Sequence, residues 1–195
     1  MKLTSKIQYA IEKASELHLG QKRKEKGLPF IIHPFSVAFI LSEYTDNEDI
    51  ICGGLLHDVL EDVAGYNYED LARDFGEEIA RIVDEVSEDK DTEDSDEKAK
   101  ETWNYQKQKY IDDLKHDSME ALMVSAGDKI HNIQAMLSSH QEKGEEMWEV
   151  FSSPKPKRES TIWFYDEVFK VLKERLDNDI LKEYETVLTE LKKLV

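Results

Sequence analysis

Cysteine is nearly missing from this chain: Cys52 is the only one in 195 residues. No internal disulfide can form, and a cytosolic setting fits. Cys52 itself reads as a small core residue. No apolar run approaches the length needed to span a membrane, and the opening Met1-Lys2-Leu3-Thr4-Ser5-Lys6 has no apolar core of the kind a signal peptide carries. No alternating apolar–polar run suggests a strand, and no internal repeat is visible. Positive charge is in short supply, with 26 Lys and Arg against 43 Asp and Glu, a formal net charge of -17. That balance argues against non-specific binding to nucleic acid or to an anionic membrane. A polyanionic substrate would need a local basic patch or a metal to receive it. One such patch exists, at Lys22-Arg23-Lys24 with Lys26 close by.

What is present is helical patterning. Hydrophobic residues make up 39% and charged residues 35%, a balance suited to a soluble, helix-rich protein. The length fits one domain, residues 1–195. Ile7, Ala10, Ile11, Ala14 and Leu17 repeat at helical spacing, and Gly20 ends that helix. A basic loop runs from Gln21 to Ile32, broken by Gly27 and Pro29. Pro34 suits the first turn of a second helix buried through Val37, Ala38, Ile40 and Leu41. Asn47 opens the next helix, which is read as continuous through Asp62; Asn67 and Ser118 cap later ones. Glu88 to Lys98 is dominated by acids and reads as an exposed, solvated connection. Two more helices, about Arg158 to Leu176 and Asn178 to Leu194, close the chain. The expected fold is all-α.

The chain is organised around Gly53-Gly54-Leu55-Leu56-His57-Asp58-Val59-Leu60-Glu61-Asp62. Ile50, Ile51, Leu55, Val59 and Leu60 give this stretch an apolar stripe, yet it carries four ionisable groups in six residues. Buried charge is costly unless paired or metal-bound, and a divalent cation held by His57 and Asp58 explains the cluster. His33 and Asp128 stand in similar apolar surroundings, Asp128 between Val124, Ala126 and Ile130, Ile133. Two imidazoles and two carboxylates make a mixed nitrogen–oxygen site that suits Mn²⁺, Fe²⁺, Co²⁺ or Zn²⁺.

Four motifs in this order resemble the HD-domain metal-dependent phosphohydrolases, and within them the (p)ppGpp hydrolase domain of the RelA/SpoT type and its stand-alone small relatives. Gly20-Gln21-Lys22-Arg23-Lys24 with Gly27-Leu28-Pro29-Phe30-Ile31-Ile32-His33-Pro34 is similar to that branch's basic loop and first His. Gly54 to Asp62 resembles its central motif with the paired acids, and Asp128-Lys129-Ile130-His131-Asn132-Ile133 its last metal motif. The resemblance covers about residues 6–135 well and the C-terminal helices loosely.

The resemblance implies an HD-type helical bundle in which His33, His57, Asp58 and Asp128 hold one divalent metal, Mn²⁺ first. Glu61 and Asp62 would position and deprotonate the attacking water. Arg23 and Lys24 would meet the nucleotide, Asn132 its sugar–phosphate region, and Lys129 a phosphate. The aromatic run Trp163-Phe164-Tyr165 offers Tyr165 as a further substrate contact. The implied reaction removes the 3′-pyrophosphate of (p)ppGpp in the cytoplasm, with no membrane and no nucleic acid as partner. The length leaves no room for a synthetase domain beside the hydrolase, so the expected activity is degradative only. Two departures concern the last motif: Ala126-Gly127 stands where the family commonly has Leu-Ala, and Gln134 where it often has Arg. They leave two alternatives open, another nucleotide substrate or a sensor that binds without cleaving. His131 stays open as a ligand, while His18, His116 and His140 read as surface or helix-side histidines.

Overall fold

A computed structural model describes residues 2–23, 27–88 and 96–194. Its helices are α1 (Ser5–Leu17), α2 (Ile32–Ser42), α3 (Glu48–Leu56), α4 (Val59–Asp62), α5 (Tyr68–Phe75), α6 (Glu77–Val86), α7 (Asp96–Asp113), α8 (Met119–Lys143), α9 (Lys157–Arg175) and α10 (Ile180–Lys192), with a 3-10 segment over Gly144–Val150. Among the described residues the only β feature is an isolated bridge between Lys22 and Pro29 in the basic loop. The all-α expectation holds.

Local chemistry sets the helix starts. The Thr4 hydroxyl accepts from the Ile7 N–H at the head of α1, and the Asn47 side chain accepts from Asp49 at the head of α3. Asn67 and Asp70 form a reciprocal capping box on α5, and Ser118 accepts from Ala121 on α8. Each such cap is worth about 1 kcal/mol.

Two apolar clusters fill the interior. One joins α1, α3, α5 and α6 through Ile7, Ile51, Leu55, Leu71, Ile79 and Val83. The other surrounds α8 and holds α9 and α10 through Leu122, Ile133, Val168, Leu172, Tyr184 and Leu188. The long α8 is the axis, packed against α2, α3, α6, α9 and α10.

Three glycines let these helices approach closely. A Cβ on Gly54 of α3 would lie 2.5 Å from Leu41 Cδ1, and one on Gly127 of α8 would lie 3.0 Å from the same leucine. A Cβ on Gly53 would stand 2.8 Å from Ile82 Cγ2. Leu41 of α2 is thus wedged between α3 and α8, three residues before His57 on one and one residue before Asp128 on the other. A Cβ at position 127 would press on the Leu41 side chain, which would have to give way.

Two local expectations change. The helix expected to run unbroken through Asp62 is interrupted at His57–Asp58, where Asp58 has φ -92° and ψ -4°. The His57 ring caps the break, its Nδ1 2.9 Å from the Gly54 carbonyl, which the end of α3 leaves without a helical partner. His18, read as a surface or helix-side histidine, stands at the C-cap of α1 and is 2% exposed, bonded to Gln21 at 2.8 Å and stacked on Phe30, so the surface alternative falls. The loop after α1 folds back over it.

Candidate metal centre

Three elements converge on one point. His33 comes from the first turn of α2, His57 and Asp58 from the break between α3 and α4, and Asp128 from the middle of α8. His33 Nε2 lies 3.1 Å from His57 Nε2, 3.1 Å from Asp128 Oδ1 and 3.5 Å from Asp58 Oδ2. His57 Nε2 lies 3.2 Å from Asp58 Oδ2 and 3.6 Å from Asp128 Oδ1. Ligands bound to a cation at about 2.0–2.2 Å sit about 3.0–3.5 Å apart at neighbouring corners, so these spacings suit a shared ion. His33, His57 and Asp58 alone form a group whose ligand atoms all lie within 4.8 Å of one another, and Asp128 adds its oxygen from the side of the two imidazoles.

The polar bookkeeping agrees with a cation. Asp58 Oδ2 is buried with no hydrogen-bond partner, which is costly for a carboxylate unless something positive meets it. The His57 Nδ1–H donates to the Gly54 carbonyl, so in the neutral ring the lone pair is on Nε2, which faces the cluster. Asp128 is held from two further directions: Lys129 Nζ is 2.6 Å from Oδ2, and Asn132 Nδ2 donates to Oδ1 at 2.6 Å.

Without an ion, the same crowding sets opposed protonation tendencies. Burial lowers His33. Burial also opposes charge on His57, but the carboxylates of Asp58 and Asp128 outweigh it and push that imidazole up to about 9. Burial works against ionised Asp128, yet Lys129 and the two imidazoles hold it well below the carboxylate range. His131 is driven down to about 4 by burial, with His33 and Arg23 adding to the shift.

The cluster floors a cavity of about 540 Å³, within the usual range for small-molecule sites. Of the residues expected at the site, Arg23, His33, Asp58, Glu61, Asp62, Asp128, Lys129, Asn132 and Tyr165 all line it. His57 sits just behind, 5% exposed. Lys24 lies outside the described residues, as do positions 89–95 of the acidic stretch. Arg23 reaches across the cavity to Asn132 Oδ1 at 3.0 Å and passes over the Phe30 ring. Gln21 donates to the Asp62 carbonyl at 2.9 Å, tying the basic loop to α4.

Two lining residues escaped the sequence reading. Glu88 opens a stretch whose composition reads as solvated, but its backbone N–H donates to Glu61 Oε1 at 2.7 Å and its carboxylate meets Lys107 Nζ at 2.6 Å. Lys107 lies over the Phe164 ring and faces the cavity. A signal for it existed: Lys107 falls on the helical stripe between Trp103 and Tyr110, both buried, where a cation needs a reason.

Comparison with known proteins follows the same lines. The family described as HD domain matches residues 10–153. A guanosine-3′,5′-bis(diphosphate) 3′-pyrophosphohydrolase of Borreliella burgdorferi is 34% identical over 127 residues, which is 65% of this chain and 18% of that protein. A protein of Danio rerio with the same activity in its name is 35% identical over 125 residues, 62% of this chain and 63% of its own length. The chain therefore spans less than two thirds of either relative. Among solved structures, that of a metazoan ortholog of SpoT which hydrolyses ppGpp superposes with a TM-score of 0.78 at 22% identity, covering 100% of this chain and 99% of the other. That likeness concerns the fold. With the motifs in order and residues 10–153 matched by the family model, the chain belongs to the HD-domain family.

Proposed function

We propose that this chain hydrolyses the 3′-pyrophosphate of ppGpp and pppGpp, releasing pyrophosphate, with one divalent cation, Mn²⁺ first, held by His33, His57, Asp58 and Asp128. The observation that carries this reading is the approach of His33 and His57 to Asp58 and Asp128 within 3.1–3.6 Å, beside a cavity that Lys22, Arg23, Lys107 and Lys129 also line. The names of the Borreliella and Danio relatives support the choice of substrate.

A bound divalent ion would acidify water and offset charge on the scissile phosphate. The chain's own residues do the rest. Glu61 and Asp62, which line the same cavity, take the proton of the attacking water as its oxygen bonds to phosphorus and the bond to the 3′ oxygen breaks; that oxygen takes up a proton and leaves as the 3′-hydroxyl of GDP. The Glu88 N–H holds Glu61 in place, and Gln21 holds the backbone of Asp62. Arg23 and Lys107 offset the chain's negative field where the phosphates enter. Asn132 and Tyr165 border the sugar. We read the described helices as one domain working in the cytoplasm; among the described residues no helix is long and apolar enough to cross a membrane.

A panel of ppGpp, pppGpp, a nucleoside monophosphate and a dinucleotide, each incubated with Mn²⁺-loaded protein, tests this. Pyrophosphate and GDP from ppGpp are expected. Phosphate from the monophosphate alone would move the assignment to another nucleotide, and ppGpp bound but uncleaved would make the protein a sensor.

A further inference from the structure

We propose that His131 is a positioning residue of the metal centre: it accepts a hydrogen bond from the Nδ1–H of His33 and so fixes that ring with its Nε2 lone pair turned to the carboxylates. This inference rests on the metal-centre reading above and goes beyond it.

The bonding logic is closed. A neutral imidazole has one N–H and one lone pair. His33 Nε2 faces His57, Asp58 and Asp128, so a cation there requires that nitrogen unprotonated and the proton on Nδ1. His33 Nδ1 lies 2.7 Å from His131 Nδ1. His131 must then be the acceptor, with its own proton on Nε2. The two rings lie 4.8 Å apart between centroids, tilted by 37°, close enough to hold each other's orientation.

The same geometry answers whether His131 is itself a ligand. Its Nδ1 meets His33 on the nitrogen facing away from the cluster, so the His33 ring stands between His131 and the cation. His131 follows Asp128 by three residues on α8, which puts both on one side of that helix. One turn of α8 thus supplies a ligand and the support of a second ligand carried by α2.

The two imidazoles are steadied by different means. His57 leans on the Gly54 backbone carbonyl, which no substitution removes. His33 leans on a side chain that can be replaced. The far side of His131 borders a groove of about 500 Å³ shared with Arg23, Ile32, Phe39 and Gln134, so it stands at the edge of the fold and not in its core.

The test uses the full chain with His131→Leu, an apolar replacement of similar bulk, and His131→Asn, whose Oδ1 falls near the place of Nδ1 and keeps an acceptor. Calorimetric titration of metal-free protein with Mn²⁺ should show binding weakened about 10–100-fold in the leucine variant, the usual cost of losing a ligand's outer partner. The asparagine variant should recover to within about threefold of wild type. Nitrogen-15 spectra of the Zn²⁺-loaded wild type should show His33 protonated at Nδ1; this measurement stands even where the leucine variant fails to fold. A proton elsewhere on His33, or folded leucine and asparagine variants with equal metal affinity, would overturn the role of His131 alone. Wild-type protein that takes up neither Mn²⁺ nor Zn²⁺ would overturn the metal centre, and this role with it.

Discussion

Lys129 Nζ sits 2.6 Å from Asp128 Oδ2, closed in by the rings of Tyr110 and Phe164 at 4.5 Å and 5.7 Å from the ammonium. Burial opposes charge on Lys129, but the carboxylate beside it raises its pKa well above normal. The pair commits one Asp128 oxygen to the lysine and turns the other to the imidazoles. The resemblance implied a phosphate contact for Lys129; the ammonium lines the cavity but is engaged with Asp128, so its first effect is on that carboxylate. Removing one partner of a buried pair costs about 3–5 kcal/mol. Lys129→Met should lower the melting temperature of metal-free protein by about 10 °C, and Mn²⁺ should restore part of the loss. Thermal unfolding with and without the ion checks both.

Ligand and base should separate cleanly. His57→Ala is expected to abolish Mn²⁺ uptake and hydrolysis together. Asp62→Asn should leave Mn²⁺ affinity near wild type while slowing turnover about 100-fold or more, the scale of general-base catalysis. Wild-type turnover by Asp62→Asn would remove the base from that residue.

Lys107 is paired with Glu88 and faces the cavity. Substrate phosphates should draw it from that carboxylate. Lys107→Met is expected to raise KM for ppGpp about tenfold, the worth of one charge-assisted contact, with Mn²⁺ affinity unchanged. Steady-state kinetics on ppGpp, alongside metal titration, decides.

The wedge at Leu41 predicts coupling between helices. Gly54→Ala places a methyl 2.5 Å from Leu41 Cδ1 and should cost about 1–3 kcal/mol by overpacking. Leu41→Ala costs more through its cavity, but in the double variant the methyl gains room, so the two losses should sum to more than the measured effect. A double-mutant cycle by chemical denaturation would show additivity if the contact were irrelevant.

Asp117, at the turn before α8, has a buried Oδ2 without a hydrogen-bond partner. Burial, with Glu85 and Asp113 nearby, pushes its pKa up to about 6 from an ordinary 3.8. A carboxyl raised in the folded state costs stability once ionised. The penalty is absent below about pH 4, grows between pH 4 and 6, and is complete above. Because the group is half exposed, it amounts to about 1 kcal/mol after screening. Asp117→Asn should therefore gain about 3 °C in melting temperature at pH 8 and nothing at pH 4.

Much of this was legible in the chain itself. The apolar repeats of Ile7, Ala10 and Ala14 and of Ile79, Val83 and Val86 report helix faces because side chains three and four apart share a side. Asn47, Asn67 and Ser118 announce helix starts because their oxygens satisfy backbone N–H groups that no helix can. His33, His57, Asp58 and Asp128 stand out as polar groups in apolar company. Glu88 and Lys107 did not, since their partners lie 27 and 19 residues away and no local pattern encodes such a pair.

Local sequence determined which segments are helices, where they start, and which four polar side chains stand in apolar company. Only the tertiary structure decided that α3 breaks at His57, that Leu41 fits between two glycines to bring α3 and α8 together, and that His131 stands behind His33. The physical reason is range. Periodicity and capping act within a turn or two of backbone, whereas close packing and the partner of each buried polar atom are settled between segments the chain joins only by folding.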